Sequence, residues 1–227
     1  MVKMKSKGKL IVIEGSDGSG KATQTKLLVK RAQKEGYLVN TISFPIYDSP
    51  SGKLITAYLN GKYGPLDKVN PKFASELYAQ NRLDIKKKIE NELRMGINLI
   101  FDRYVSANYL HQASRYKTNE EKLEMIKWIN HSEFEVNNLP VPDTIAYLDL
   151  DPKFAIEAMK KQGRKGDLHE NDTGHLQNAW KMGRMITDMN IIKSWKIFNC
   201  IKSKTERKGV EELNAALWDY IQPILTK

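Results

Sequence analysis

Cysteine is almost absent from this chain: one residue, Cys200, among 227. A single thiol excludes an intrachain disulfide. Its apolar neighbours, from Trp195 to Ile201, suit a buried structural thiol better than a nucleophile. Long apolar runs are also missing, and no stretch approaches the roughly 20 residues that cross a bilayer. The basic opening, Met1 to Lys9, holds too few apolar residues for a signal peptide. These features point to the cytoplasm, with no membrane partner. Acidic residues are in deficit, 27 against 37 Lys and Arg, for a formal charge of +10. That sign admits nucleic acid as a partner. The lysines are scattered, however, and no aromatic residues interleave with their runs as on a base-stacking surface. Lys86 to Arg94 alternates in sign, as a solvated helix face does. A basic cleft for phosphorylated small molecules accounts for the charge at least as well. No nucleic-acid partner is expected. With no repeat, low-complexity tract or composition break, residues 1–227 are expected to form one α/β domain.

Five short apolar runs have the form of strands: Leu10 to Glu14, Leu38 to Phe44, Asn98 to Asp102, Thr144 to Asp149 and Trp195 to Ile201. Amphipathic stretches separate them. Helices are expected over 23–35, closed by Gly36, and over a long stretch from Pro71 to Met95, closed by Gly96. Further helices are expected over Asn119 to Trp128, Pro152 to Lys161, His175 to Met189 and Gly209 to Leu225. Strands alternating with helices imply a parallel, doubly wound sheet with helices on both faces. Two segments have the composition of working loops. Residues 45–70 are rich in Pro and Gly, partly helical at best; 162–174 are charged and glycine-punctuated, as a mobile lid would be.

Residues 15–23 read Gly-Ser-Asp-Gly-Ser-Gly-Lys-Ala-Thr, between a strand and a helix start. That context makes the GxxxxGK[ST] pattern a phosphate-binding loop. Gly15, Gly18 and Gly20, with Ser16, Asp17 and Ser19 between them, let backbone N–H groups converge on an anion. The N-terminus of the next helix reinforces the site, and Lys21 can reach the outer phosphates of a nucleotide. Ala22 stands where a Ser or Thr hydroxyl normally helps hold magnesium. Thr23 points about 100° away around the helix, so it does not replace that ligand and is expected to touch an inner phosphate. A second signal is the apolar strand ending in Asp102-Arg103-Tyr104. A carboxylate at that place lies beside magnesium-bound phosphates, and Arg103 can grip a second phosphate with two parallel hydrogen bonds.

Together these stretches resemble the thymidylate kinases and, more broadly, the P-loop nucleoside monophosphate kinases. The resemblance runs in order through residues 14–24, Phe44-Pro45, Leu77 to Arg82, Asp102 to Val105, Leu139 to Asp143, Leu148 to Pro152 and Gly163 to Glu170. It implies a three-layer fold with a five-stranded parallel sheet and a short lid over about 160–174. It further implies ATP-dependent phosphorylation of dTMP to dTDP with Mg2+, by a homodimer. By the same resemblance, Tyr78 stacks on the thymine ring and Arg82, one turn later, reaches a base carbonyl. Asp17 contacts the acceptor's sugar, Asn108 and Gln112 lie near the base, and His111 stands where a tyrosine is usual beside the sugar. Phe44 and Pro45 belong to the acceptor wall. Lys21, Arg103, Arg164 and Asp102 form the catalytic group, with Asp102 toward the metal. Since the loop carries Gly18 rather than a cation, Arg164 is the natural lid cation, with Lys165 or Lys161 as substitutes; Glu170 orders the lid or assists the metal through water. Two departures bear on this. Ala22 implies weaker metal affinity rather than inactivity. The segment after Phe44-Pro45 reads Ile46-Tyr47-Asp48-Ser49, without the arginine common there, which leaves the acceptor open. The alternatives are a kinase of the same fold acting on another monophosphate such as dUMP, or a nucleotide-binding protein with impaired turnover.

Overall fold

The alternation of buried strands and amphipathic helices resolves into a parallel sheet in the computed structural model, which describes residues 6–154, 156, 172–203 and 206–226. The strands are β1 (Leu10–Gly15), β2 (Val39–Ser43), β3 (Asn98–Asp102), β4 (Thr144–Asp149) and β5 (Trp195–Asn199). They pair in the order β2-β3-β1-β4-β5, each pairing parallel. β1 lies at the centre, and all six of its residues are buried. Its continuous apolar run reflects cover on both faces.

The two faces separate by alternation along the strands. Leu10, Val12, Leu99, Phe101, Ile145 and Tyr147 pack beneath α4 (Lys86–Arg94), α6 (Asn119–Asn130) and α7 (Thr173–Asp188). Ile11, Ile13, Ile100, Ala146 and Leu148 pack beneath α1 (Lys21–Lys34) and α8 (Val210–Ile221). A smaller apolar cluster joins α2 (Pro50–Leu59) to α3 (Pro71–Leu83) through Ile55, Tyr58, Ala74 and Leu77. The last short helix, α5 (Ser106–His111), follows β3 directly.

The strand expectations differ from the structure only at their ends. Residues 45–70 are partly helical, as expected, and one helix expectation needs correction. Within 45–70, Ser49 caps α2 by accepting from Gly52 N at 3.0 Å and Pro50 occupies the first helical position. Gly52 is there for contact: a Cβ would come within 2.1 Å of Ile46 O. The expected helix from Pro71 to Met95 is two helices, broken at Ile85 (φ −116°, ψ 11°). Asp84, the residue before the break, is drawn to α2 by a 2.6 Å bond from Ser51 Oγ. The expected lid falls largely outside the described residues, and by Thr173 the chain is already in α7.

Register brings the chemistry to one edge. Ile13 is paired with Asp102, Gly15 with Leu148 and Ser43 with Asp102. The carboxyl ends of the four strands β1 to β4 therefore open on the same crevice, where ligands of open α/β sheets bind.

Candidate active site

The loop leaving β1 is built by its glycines. At Gly15 (φ 156°) a Cβ would come within 2.8 Å of both Leu148 O and Ser19 Oγ. Gly20 takes the left-handed conformation (φ 94°) and starts α1 with no side-chain cap on the first turn. Those uncapped N–H groups and the helix dipole make an anion site. Ser16 Oγ ties the loop to the sheet by donating to Leu150 O at 2.9 Å, and Ser19 N closes a turn on Ser16 O at 3.1 Å. Lys21 Nζ folds back over the loop, donating to Gly15 O and Ser16 O at 2.9 Å each, with Asp17 Oδ1 at 3.7 Å. Ala22 and Thr23 are exposed at the helix start. Arg207, from the turn before α8, donates to Gly18 O at 2.9 Å, a contact the sequence reading did not foresee.

Next to the loop lies a cavity of about 290 Å³. Its wall brings together Asp17, Phe44, Pro45, Tyr47, Tyr78, Arg82, Arg103, Asn108, His111 and Gln112, along with the unforeseen Ser43 and Tyr104. Arg103 joins loop and cavity. Its backbone is left-handed (φ 66°), which turns the side chain back so that Nη2 pairs with Asp17 Oδ1. Nη1 lies 3.5 Å from His111 Nε2. Phe44-Pro45, a cis peptide, is followed by a segment pinned from α3: Asn81 Oδ1 accepts from Ile46 N at 2.7 Å, and its Nδ2 donates to Ile46 O at 3.0 Å. Tyr78 meets Tyr58 edge-on, with centroids 6.4 Å apart. That contact fixes one side of the ring against α2.

Arg82 is almost fully buried, and it does not stand alone. Nε donates to Glu133 Oε2 at 2.7 Å, Nη2 to Glu133 Oε1, and Nη1 to Tyr104 O at 3.3 Å. Glu133 sits on a π-helical extension of α6 (His131–Val136) and also accepts from Asn108 Nδ2 at 3.0 Å. Gln112 Oε1 accepts from Arg115 Nη1 at 3.2 Å, while its buried Nε2 has no partner among the described residues.

Charge is dense here. Glu14, fully buried, accepts from Gly15 N at 3.0 Å and from Ser106 Oγ at 2.8 Å. Burial pushes its carboxyl up, against the pull of Arg103 and Lys21. Burial also pushes Asp17 up, but Arg103 and Lys21 outweigh it and hold that carboxyl well below its usual range. Burial and the neighbouring Arg103 lower Lys21, against Asp17, Glu14 and Asp102. Asp102 accepts from Ser43 Oγ through Oδ2 at 3.4 Å, whereas its buried Oδ1 has no partner among the described residues. An unpaired carboxylate oxygen beside a phosphate loop fits a hard cation such as Mg2+. Among the described residues no cluster of three metal-ligating side chains exists, so phosphate oxygens and water would complete its coordination. Arg164, Lys161, Lys165 and Glu170 lie outside the described residues.

The family model for thymidylate kinase matches residues 13–205. This chain belongs to the thymidylate kinase family. It is 32% identical over 188 residues to the thymidylate kinase of Caldanaerobacter subterraneus subsp. tengcongensis, covering 80% of this chain and 83% of that one. It is 26% identical over 210 residues to the Danio rerio thymidylate kinase, covering 92% and 90%. The solved thymidylate kinase of Candida albicans superposes with a TM-score of 0.73 at 24% identity, covering 96% of this chain and 92% of that one, a likeness of fold. As a member of this family, the chain is a nucleoside monophosphate kinase. Glu133, Ser43 and Arg207 were not foreseen in this chain, because each acts through contacts distant in sequence. Only Ser49-Pro50, an N-cap followed by a first-turn proline, was a local signal left unread.

Proposed function

We propose that this chain transfers the γ-phosphoryl group of ATP to the 5′-phosphate of dTMP, giving ADP and dTDP. The observation that carries the reading is the Arg103–Asp17 pair, which joins the phosphate loop to the adjoining cavity. A donor phosphate on the loop and an acceptor phosphate on Arg103 would then be neighbours. An acceptor oxygen attacks the γ-phosphorus in line, and the bond to the β,γ-bridging oxygen breaks as ADP leaves. The chain needs no nucleophile of its own; it orients two nucleotides and offsets their charge.

In this reading the backbone of residues 15–23 and Lys21 hold the ATP phosphates. Arg103 grips the acceptor phosphate with a guanidinium that Asp17 keeps aimed. Tyr78 offers its ring face to the base, and Gln112 Nε2, a buried donor lacking a partner among the described residues, suits a pyrimidine carbonyl. Arg82, oriented at the cavity wall by Glu133, reaches a base carbonyl. Asp102 would hold Mg2+, which when bound neutralises phosphate oxygens. Arg164 supplies the lid cation, or Lys165 or Lys161 in its place. We further propose one domain over residues 1–227 with its lid at about 160–174, a homodimer, and a cytoplasmic location. No described helix is long and apolar enough to cross a membrane. Sedimentation equilibrium checks the dimer.

A coupled ADP-release assay over a panel of nucleoside monophosphates tests the reaction. Turnover is expected to peak with dTMP. A peak with another monophosphate would reassign the acceptor, and ATP binding without ADP release for any acceptor would overturn the kinase reading.

A further inference from the structure

Two buried histidines meet at the acceptor cavity. His111, the last residue of α5, lines it; His175 belongs to the first turn of α7. They are 6% and 5% exposed. Their rings stack with centroids 5.3 Å apart at 29°, and His111 Nδ1 lies 3.2 Å from His175 Nε2. On its other side His111 Nε2 lies 3.5 Å from Arg103 Nη1.

The protons of this chain of contacts can be assigned from one end. A guanidinium only donates, so His111 Nε2 accepts and the neutral ring carries its proton on Nδ1. That N–H donates to His175 Nε2, which therefore has its lone pair there and its own proton on Nδ1. A second proton on His111 would face the Arg103 cation. On His175 it would face the positive end of α7. Asp17, the carboxylate in electrostatic reach of His111, bonds Arg103, and Asp172 Oδ1 accepts from His175 N at 2.9 Å.

We propose that His175 is a positioning residue of the acceptor site: by accepting from His111 Nδ1 it locks the tautomer whose Nε2 holds Arg103. Asp17 and His111 then grip the two ends of one guanidinium. The proposal rests on the reading above, in which Arg103 holds the acceptor phosphate. Without His175 the His111 ring is released to present Nε2–H to Arg103, donor against donor, and the guanidinium loses one of its two supports.

Nitrogen-15 NMR of the imidazoles in the nucleotide-free chain, with kinetics of two variants, tests this. In His175→Gln the side-chain carbonyl reaches the place of Nε2 and accepts; in His175→Phe the ring still stacks but cannot accept. His111 is expected to carry its proton on Nδ1 in the parent and in His175→Gln, and to shift toward Nε2–H in His175→Phe. The KM for dTMP should rise roughly 2- to 10-fold in His175→Phe, the worth of one hydrogen bond, with kcat and the KM for ATP little changed, and return toward the parent value in His175→Gln. Three results would overturn the proposal: an Nε2–H tautomer of His111 in the parent, a parental dTMP KM in His175→Phe, or an equal defect in both variants. The parent spectrum decides even where His175→Phe does not fold. Because the tautomer is read without turnover, an inactive chain would contradict the kinase reading and leave this measurement standing.

Discussion

At the scale of single residues, the site is a balance of buried charges. Glu14, fully buried, and Asp17, partly buried, both lie near Lys21 and Arg103, yet they shift in opposite directions. Glu14 sits beneath the loop, where loss of water outweighs its partners. Asp17 bonds Arg103 directly, and the pair overcomes the same loss. The consequences for stability are opposite in sign. The contribution of Asp17 is present above its unfolded value near 3.8 and is lost as pH falls through that range toward its lower folded value. That of Glu14 is full below 4.5 and lost as pH rises through its higher folded value. Asp17→Asn removes only the first. Chemical denaturation at pH 6 and pH 3 should show the variant losing about 1 kcal/mol less stability than the parent over that interval. An equal or greater loss in the variant would contradict the assignment. Asp17, Arg103 and Lys21 were legible in sequence because loop spacing and a strand end announce them. His175 and Glu133 were not, since a buried histidine or glutamate has no local signature to separate it from a solvated one.

At the scale of elements, helices position what the loop and strand ends present. The clearest case is α3 against the π-helical end of α6. Arg82 and Glu133, fifty-one residues apart, form a buried pair that also holds Asn108. Removing one partner of such a pair leaves an uncompensated buried charge, at a cost of about 3 kcal/mol or more. Glu133→Ala is therefore expected to lower the unfolding free energy by that amount and to raise the KM for dTMP, because Arg82 and Asn108 both line the cavity. A loss below about 1 kcal/mol would show that the pair contributes little. The strands were readable because apolar runs bounded by turns survive any tertiary context. α2 and the break at Ile85 were not, because tertiary contacts decide both: Gly52 against Ile46 O, and Asp84 drawn to Ser51. Glycine and proline in 45–70 read as loop signals, while here one is a contact residue and the other a helix start.

At the scale of the whole molecule, a parallel sheet gathers four strand ends into one crevice and sets side by side the two features proposed to bind phosphate. One is the loop and N-terminus of α1. The other is Arg103, braced by Asp17 and His111 at the wall of the cavity. The order β2-β3-β1-β4-β5 makes this possible, because β3 and β1 are neighbours and Asp102, the last residue of β3, pairs with Ile13 just before the phosphate loop. The formal charge of +10 agrees with two polyanionic ligands in that crevice. The measurement that tests this most directly is phosphorus NMR of the chain mixed with ATP, Mg2+ and dTMP. The γ-phosphate resonance should decline in step with growth of the β-phosphate of dTDP, and both should stay constant when dTMP is left out. Release of inorganic phosphate in place of dTDP, or ATP consumed only with a different monophosphate, would contradict it.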